Sequence, residues 1–120
     1  MPRGIPEARA CTIDSSTTKL SPMILEHAVL QVRDDATDEF ENAFREASSI
    51  ISAMRGFVSL RLERCLESRN RYLLLVEWER LEDHTVGFRH SAEYEQWRQL
   101  LHHFYEPFPD VDHYELVLTG

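Results

Sequence analysis

The sequence predicts an α+β fold of the ferredoxin-like kind, β-α-β-β-α-β, in which a four-stranded antiparallel sheet carries two helices on one face. Three observations predict it. Short apolar runs at 24–32, 57–66 and 72–76 read as strands. Residues 38–54 place Phe40, Ala43, Phe44, Ala47, Ile50, Ile51 and Met54 at three- and four-residue spacing, the stripe of an amphipathic helix. After Trp78 the period changes from two to helical, until Pro107 and Pro109 stop the helix and 111–118 returns to a strand pattern.

The first strand, ILEHAVLQV, sets Ile24, Glu26, Ala28, Leu30 and Val32 on one face and Leu25, His27, Val29 and Gln31 on the other. Both faces are mostly apolar, so this strand asks to be covered twice. Asp34 and Asp35 in the following connection are poised to cap a helix and favour its N-terminus. Gly56 stands where a left-handed residue would end that helix. Val58, Leu60, Leu62 and Leu66 share one face of the second strand, interrupted by Arg64, and the polar 67–70 turn makes a hairpin with the third. The final helical region comes in two pieces, 81–88 and a longer one capped by Ser91 and running to about Tyr105.

At 120 residues and 42% hydrophobic content the chain forms one domain with one modest core. Residues 1–22 show no periodicity, carry two early prolines and lack the apolar stretch of a signal peptide, so they read as a disordered or extended tail before a domain spanning 23–120. A net charge of −8 argues against nucleic acid or an anionic membrane as partner. No segment approaches the ~20 apolar residues of a membrane span. Cys11 and Cys65 form no CxxC pair, which points to free thiols and a reducing, cytoplasmic compartment. Helices on one side leave the other face of the sheet open, and a face rich in leucine and valine is expected to be buried in a two-fold homodimer.

The opening MILEHAVLQV, the helix ending in MRGF, the strand RYLLLVEWE, the segment LEDHTVGFRHSAEYEQW and the strand after FPDVDHY together resemble the antibiotic biosynthesis monooxygenase family of dimeric α+β barrel proteins. The resemblance runs from about Met23 to Val117, and its most specific element is Trp78 at the end of the third strand, followed by a broken helix whose second half begins with serine. It implies oxygenation of an aromatic or polyketide-like substrate, in some members without metal, flavin or haem, in a pocket between sheet and helices. The chain departs from the pattern at Gly87 and at Ser91-Ala92-Glu93-Tyr94, where many members carry histidines. It also lacks the strand-one asparagine of the haem-degrading branch, so no haem is expected.

Candidate residues follow from chemistry. A cofactor-free oxygenase needs a base to take a proton from a phenol or enol, and histidine suits that task near neutral pH. His84, soon after Trp78, could turn partly exposed toward the pocket mouth, or could be a cap histidine beside Asp83; His27, on a strand with two apolar faces, is the second candidate base or an interface residue. Phe44, Trp78, Phe88, Tyr94 and Trp97 could line a slot for a planar ligand, and would equally make a helix-on-sheet core. Of His102, His103 and Glu106 only His102 and Glu106 share a helix face, so no metal site is expected. Two functions compete: a small cofactor-independent monooxygenase for an aromatic, quinol or polyketide-like substrate, and a non-catalytic barrel that binds a small hydrophobic molecule or has a stress-related role.

Overall fold

The structure is a computed structural model and describes residues 23–120; the expected tail, residues 1–22, and Cys11 lie outside the described residues. The elements are β1 (Ile24–Gln31), α1 (Thr37–Ile51), β2 (Phe57–Arg64), β3 (Arg71–Trp78), a π-helical turn (Asp83–Phe88), α2 (Ala92–Leu101), a 3-10 turn (His102–Phe104) and β4 (Val111–Glu115). The sheet order is β2-β3-β1-β4 with every neighbouring pair antiparallel. This is the ferredoxin-like α+β arrangement that the periodicity predicts.

Strand alternation sorts the chemistry into two faces. Toward the helices point Ala28, Leu30, Tyr72, Leu74, Val76 and Trp78, all buried, and they meet Phe40, Phe44, Ala47 and Ile51 of α1 and Trp97 and Leu101 of α2. Phe44 and Trp97 join the two helices edge to face, with ring centroids 5.5 Å apart. On the far face lie Leu25, His27, Val29, Leu73, Leu75, Glu77 and Tyr114. Val29 is 43% exposed there although β-branched and apolar.

Several boundaries differ from expectation for local reasons. Asp38 and Glu39 sit in the first turn of α1, where the helix dipole favours them, but its N-cap is Ala36 and no side chain caps it. The helix ends at Ile51, and Gly56 turns the chain five residues later at φ +84°. A Cβ on Gly56 would lie 2.0 Å from Asp83 Oδ2, so glycine is needed both for the backbone angle and for the approach of the π-helical turn. A bulge between Phe57 and Ser59 shifts the register of β2. It takes Val58 off the face it was expected to share with Leu60 and Leu62 and leaves it 40% exposed.

The last helix is capped by Ser91 as expected, its Oγ accepting from Tyr94 N at 3.0 Å. It tightens into the 3-10 turn instead of running to Tyr105, which is extended and bridges Val32 beyond the end of β1. β4 ends at Glu115; Leu116, Val117 and Leu118 continue past it fully exposed.

Candidate active site

The site is built around a carboxyl group that period-two geometry carries inward. Glu26 shares its face of β1 with Ala28 and Leu30, and in the sheet it stands between Val76 of β3 and His113 of β4. Only 5% of it is exposed. Two residues beyond Val76 on the same face, Trp78 donates from Nε1 to Glu26 Oε1 at 2.9 Å. A carboxyl in such a place needs partners, because an unpaired polar group away from water costs about 1–3 kcal/mol.

The second partner comes from the π-helical turn. Its wide ring, closed by Arg89 N donating to His84 O at 3.0 Å, turns Asp83, His84 and Phe88 all inward. His84 was expected at a pocket mouth; it is instead sealed, 3% exposed. Its imidazole stacks on Trp78 with centroids 5.5 Å apart and planes 23° from parallel. Nε2 lies 3.4 Å from Glu26 Oε1, and Nδ1 lies 2.8 Å from His113 Nε2. Asp83 is held separately, 3.5 Å from the Arg80 guanidinium.

Burial then redistributes basicity. It pushes the Glu26 carboxyl up to about 7, against the opposing pull of the Trp78 N–H and the Arg89 charge. The same burial, with Arg89 and His113 adding repulsion, pushes His84 down to about 3. The proton shared by this pair therefore belongs to the carboxyl, and His84 is neutral at physiological pH. Desolvation also lowers His113 and takes His102 down to about 4. It raises the Tyr105 hydroxyl. Of Glu26 and His84, the one poised to change charge near neutrality is the glutamate.

Glu26 and His84 border a cavity of about 40 Å³, whose apolar walls include Leu30, Leu74, Phe88, Tyr94, Trp97 and Phe108. The aromatic rings interlock: Phe88 meets Tyr94 and Trp97 edge to face at 5.2 and 5.6 Å. An engineered cavity of about 150 Å³ is what holds benzene, so a ring-sized ligand requires this wall to open. Phe108, 62% exposed, is the most solvent-open aromatic residue of that wall.

The proposed pocket residues thus divide. Phe88, Tyr94 and Trp97 line the cavity beside Glu26. Trp78 is wholly buried behind it and acts on the carboxyl through its N–H. Phe44 faces a separate, larger groove of about 390 Å³ between α1 and β2. In that groove Glu41 accepts from the Tyr72 hydroxyl at 2.6 Å and pairs with Arg64. His27 points to the opposite face of the sheet, its ring 5.5 Å from that of Tyr114, and cannot reach the cavity of its own chain. Among the described residues no three His, Cys, Asp or Glu groups are placed to hold a metal ion.

Glu26 and His113 are the participants that the sequence reading passed over. The signal for Glu26 was present: an acidic residue in register with Ala28, Leu30 and Val32 on a strand face that must be covered. His113 had no such signal, because its role depends on which residue β1 sets opposite it.

Comparison with known proteins bears on the family and the fold. The model of the family described as antibiotic biosynthesis monooxygenase matches residues 23–100. The Bacillus subtilis (strain 168) protein YczJ, itself uncharacterized, is 53% identical over 95 residues, covering 79% of this chain and all of the relative. The crystal structure of a putative antibiotic biosynthesis monooxygenase from Bordetella bronchiseptica superposes with a TM-score of 0.78 at 34% identity, over 82% of this chain and 100% of that one. SnoaB from Streptomyces nogalater, described as a cofactor-independent oxygenase, shares the fold with a TM-score of 0.70 at 18% identity, over 82% of this chain and 97% of its own. The chain belongs to the antibiotic biosynthesis monooxygenase family.

Proposed function

We propose that this member of the antibiotic biosynthesis monooxygenase family is a small cofactor-independent oxygenase for an aromatic, quinol or polyketide-like substrate, with Glu26 as its base. The observation that carries the reading is a buried carboxyl, poised near pH 7, on the wall of an aromatic cavity. SnoaB, which has the same fold, adds support through the activity ascribed to it.

The chemistry suits an anthrone-like substrate, whose acidic CH₂ group lies next to a ring carbonyl. Glu26 takes a proton, and the resulting enolate is electron-rich enough to give an electron to dioxygen. Recombination forms a carbon–oxygen bond and a peroxide anion, which takes a proton from water once the wall reopens, so that Glu26 is still protonated when the chemistry is done. Loss of water from the hydroperoxide then leaves a new carbonyl. One O₂ is consumed; one oxygen atom enters the product and the other leaves as water. Phe88, Tyr94 and Trp97 would orient the ring, and the closed wall would keep water from the anion. His84, at about 3, is too weak a base for this step, and its part is to partner the carboxylate.

The narrow cavity favours a second reading, in which the barrel binds a small hydrophobic molecule without chemistry. The two separate in an oxygen-uptake assay with anthrones and quinols. The oxygenase reading expects uptake that falls about 10²–10⁴-fold in Glu26→Gln. Saturable binding of the same compounds with no uptake by the parent protein would select the second.

Assembly is part of the proposal. The apolar far face, with Val29 and Tyr114 about half exposed, is of the kind that a second copy covers. No helix among the described residues is long and apolar enough to cross a membrane. The free thiol of Cys65 favours the cytoplasm.

A further inference from the structure

Glu26 raises a difficulty that its neighbours resolve. A base that takes a proton from substrate must lose it before another turnover, yet its carboxyl is sealed by Trp78 and His84, and a ligand in the cavity would cover what remains. His84 offers both ring nitrogens: Nε2 stands 3.4 Å from Glu26 Oε1, and Nδ1 stands 2.8 Å from His113 Nε2. His113 lies on the edge strand β4, half-buried, and is not among the residues that line the cavity. We propose that Glu26, His84 and His113 form a proton relay joining the buried carboxyl to solvent at the edge of the sheet, by a route that bypasses the substrate cavity. This rests on the reading of Glu26 as the base.

The relay moves one proton and needs no charged His84. In the starting state Glu26 is a carboxylic acid, His84 carries its proton on Nδ1 and donates to His113 Nε2, and His113 carries its own on Nδ1. The Glu26 proton passes to His84 Nε2, the His84 Nδ1 proton passes to His113 Nε2, and the His113 Nδ1 proton leaves to water. The end state is a carboxylate that accepts from both Trp78 Nε1 and His84 Nε2, while His113 now donates to His84 Nδ1. A concerted change of tautomer fits a ring whose cation is disfavoured by burial.

The surroundings hold the wire in place. Trp78 stacks on the His84 ring, and Phe88 packs beside both, 6.3 Å from His84 and 6.0 Å from Trp78, which restricts the rotation of the imidazole. Arg89 opposes a positive charge on either histidine and favours the charged form of Glu26, Asp112 favours a positive charge on His113, and Glu26 helps to raise the Tyr105 hydroxyl. The Glu26↔His113 pairing across β1 and β4 sets the span that His84 bridges.

Two-bond ¹H–¹⁵N NMR of the ¹⁵N-labelled full chain, followed by pH alongside the ¹³C signal of the Glu26 carboxyl, tests the relay without any substrate. The expected result is that His84 is the Nδ1–H tautomer at low pH and the Nε2–H tautomer at high pH, changing with the same midpoint as the carboxyl. A His84 that keeps one tautomer through the Glu26 titration overturns the relay. With a compound that the parent protein oxidises, His113→Leu should lower kcat at least about tenfold with KM unchanged, and added imidazole should restore part of the loss. A His113→Leu enzyme with unaltered kcat and solvent isotope effect also overturns it. If no compound is oxidised but the tautomer change is present, the oxygenase reading fails and the proton path stands.

Discussion

Glu26 and His27 are adjacent in sequence and both titratable, yet the sheet sends them to opposite environments. Glu26 points under the helices, loses its water, and acquires Trp78, His84 and His113 as neighbours. His27 points to the uncovered face and meets Tyr114. His27, of the residue type chemically suited to the task, lies on the face away from the cavity, and Glu26, the one carboxylate on an otherwise apolar strand face, borders it. Position on a pleated strand decides which side chain is desolvated, and desolvation is what pushes the Glu26 carboxyl up to about 7.

The contrast between the faces can be broken most forcefully at Trp78. Trp78→Ala removes a fully buried indole and leaves the carboxyl without its N–H donor, so denaturant unfolding should show a loss of about 3–5 kcal/mol. His27→Ala on the far face should cost less than about 1 kcal/mol. Trp78→Phe separates packing from hydrogen bonding: it keeps a ring against His84, loses the N–H that holds the Glu26 pKa down, and should move the carboxyl midpoint upward by NMR. Equal losses for Trp78→Ala and His27→Ala would mean that the two faces are not energetically distinct.

Glu26→Gln sharpens the same comparison through pH. Glu26 binds its proton more tightly folded, at about 7, than unfolded, near 4.5, so its contribution to stability falls as pH rises across that interval. His84 runs the other way: its pKa drops from 6.5 to about 3 on folding, so stability is gained as pH rises between those values. Between about 4.5 and 6.5 the two largely cancel. Glutamine keeps an acceptor for Trp78 and never ionises, so Glu26→Gln should be more stable than the parent at pH 8, by up to about 3 kcal/mol. The advantage should vanish below pH 4.5. Parallel curves of melting temperature against pH for the two proteins would contradict a buried, titrating carboxylate.

The fold was legible because its cause is periodic. The α1 stripe, the change of period after Trp78 and the Ser91 cap are local patterns, and they reappear as elements. What escaped was set by irregularities and by pairing. The bulge at Phe57 and Ser59 reverses the side on which Val58 stands, and nothing in the alternating sequence marks it. The π-helical turn buries His84, where an ordinary helical turn would leave the partly exposed residue expected from spacing. His113 gains meaning only from the register that puts β4 beside β1. The site was therefore half legible: Trp78 and His84 could be singled out as neighbours in sequence, whereas the carboxyl between them and the edge histidine beyond required the sheet.

The uncovered face supplies the smallest expected effect and the clearest test of assembly. If a second copy buries Leu25, Val29, Leu73, Leu75 and Tyr114, folding and association are linked, and each tenfold rise in protein concentration adds about 1.4 kcal/mol to the apparent stability of the dimer. The melting temperature should then climb by a few degrees per decade of concentration. Val29→Glu, which sets a charge in the middle of that face, should abolish the climb and yield a smaller species in sedimentation. Its effect on the Glu26 midpoint should be negligible, because Val29 points away from the carboxyl on the opposite side of the same strand. A melting temperature independent of concentration, together with a monomer in sedimentation for the parent chain, would mean that the two faces differ in chemistry but not in what covers them.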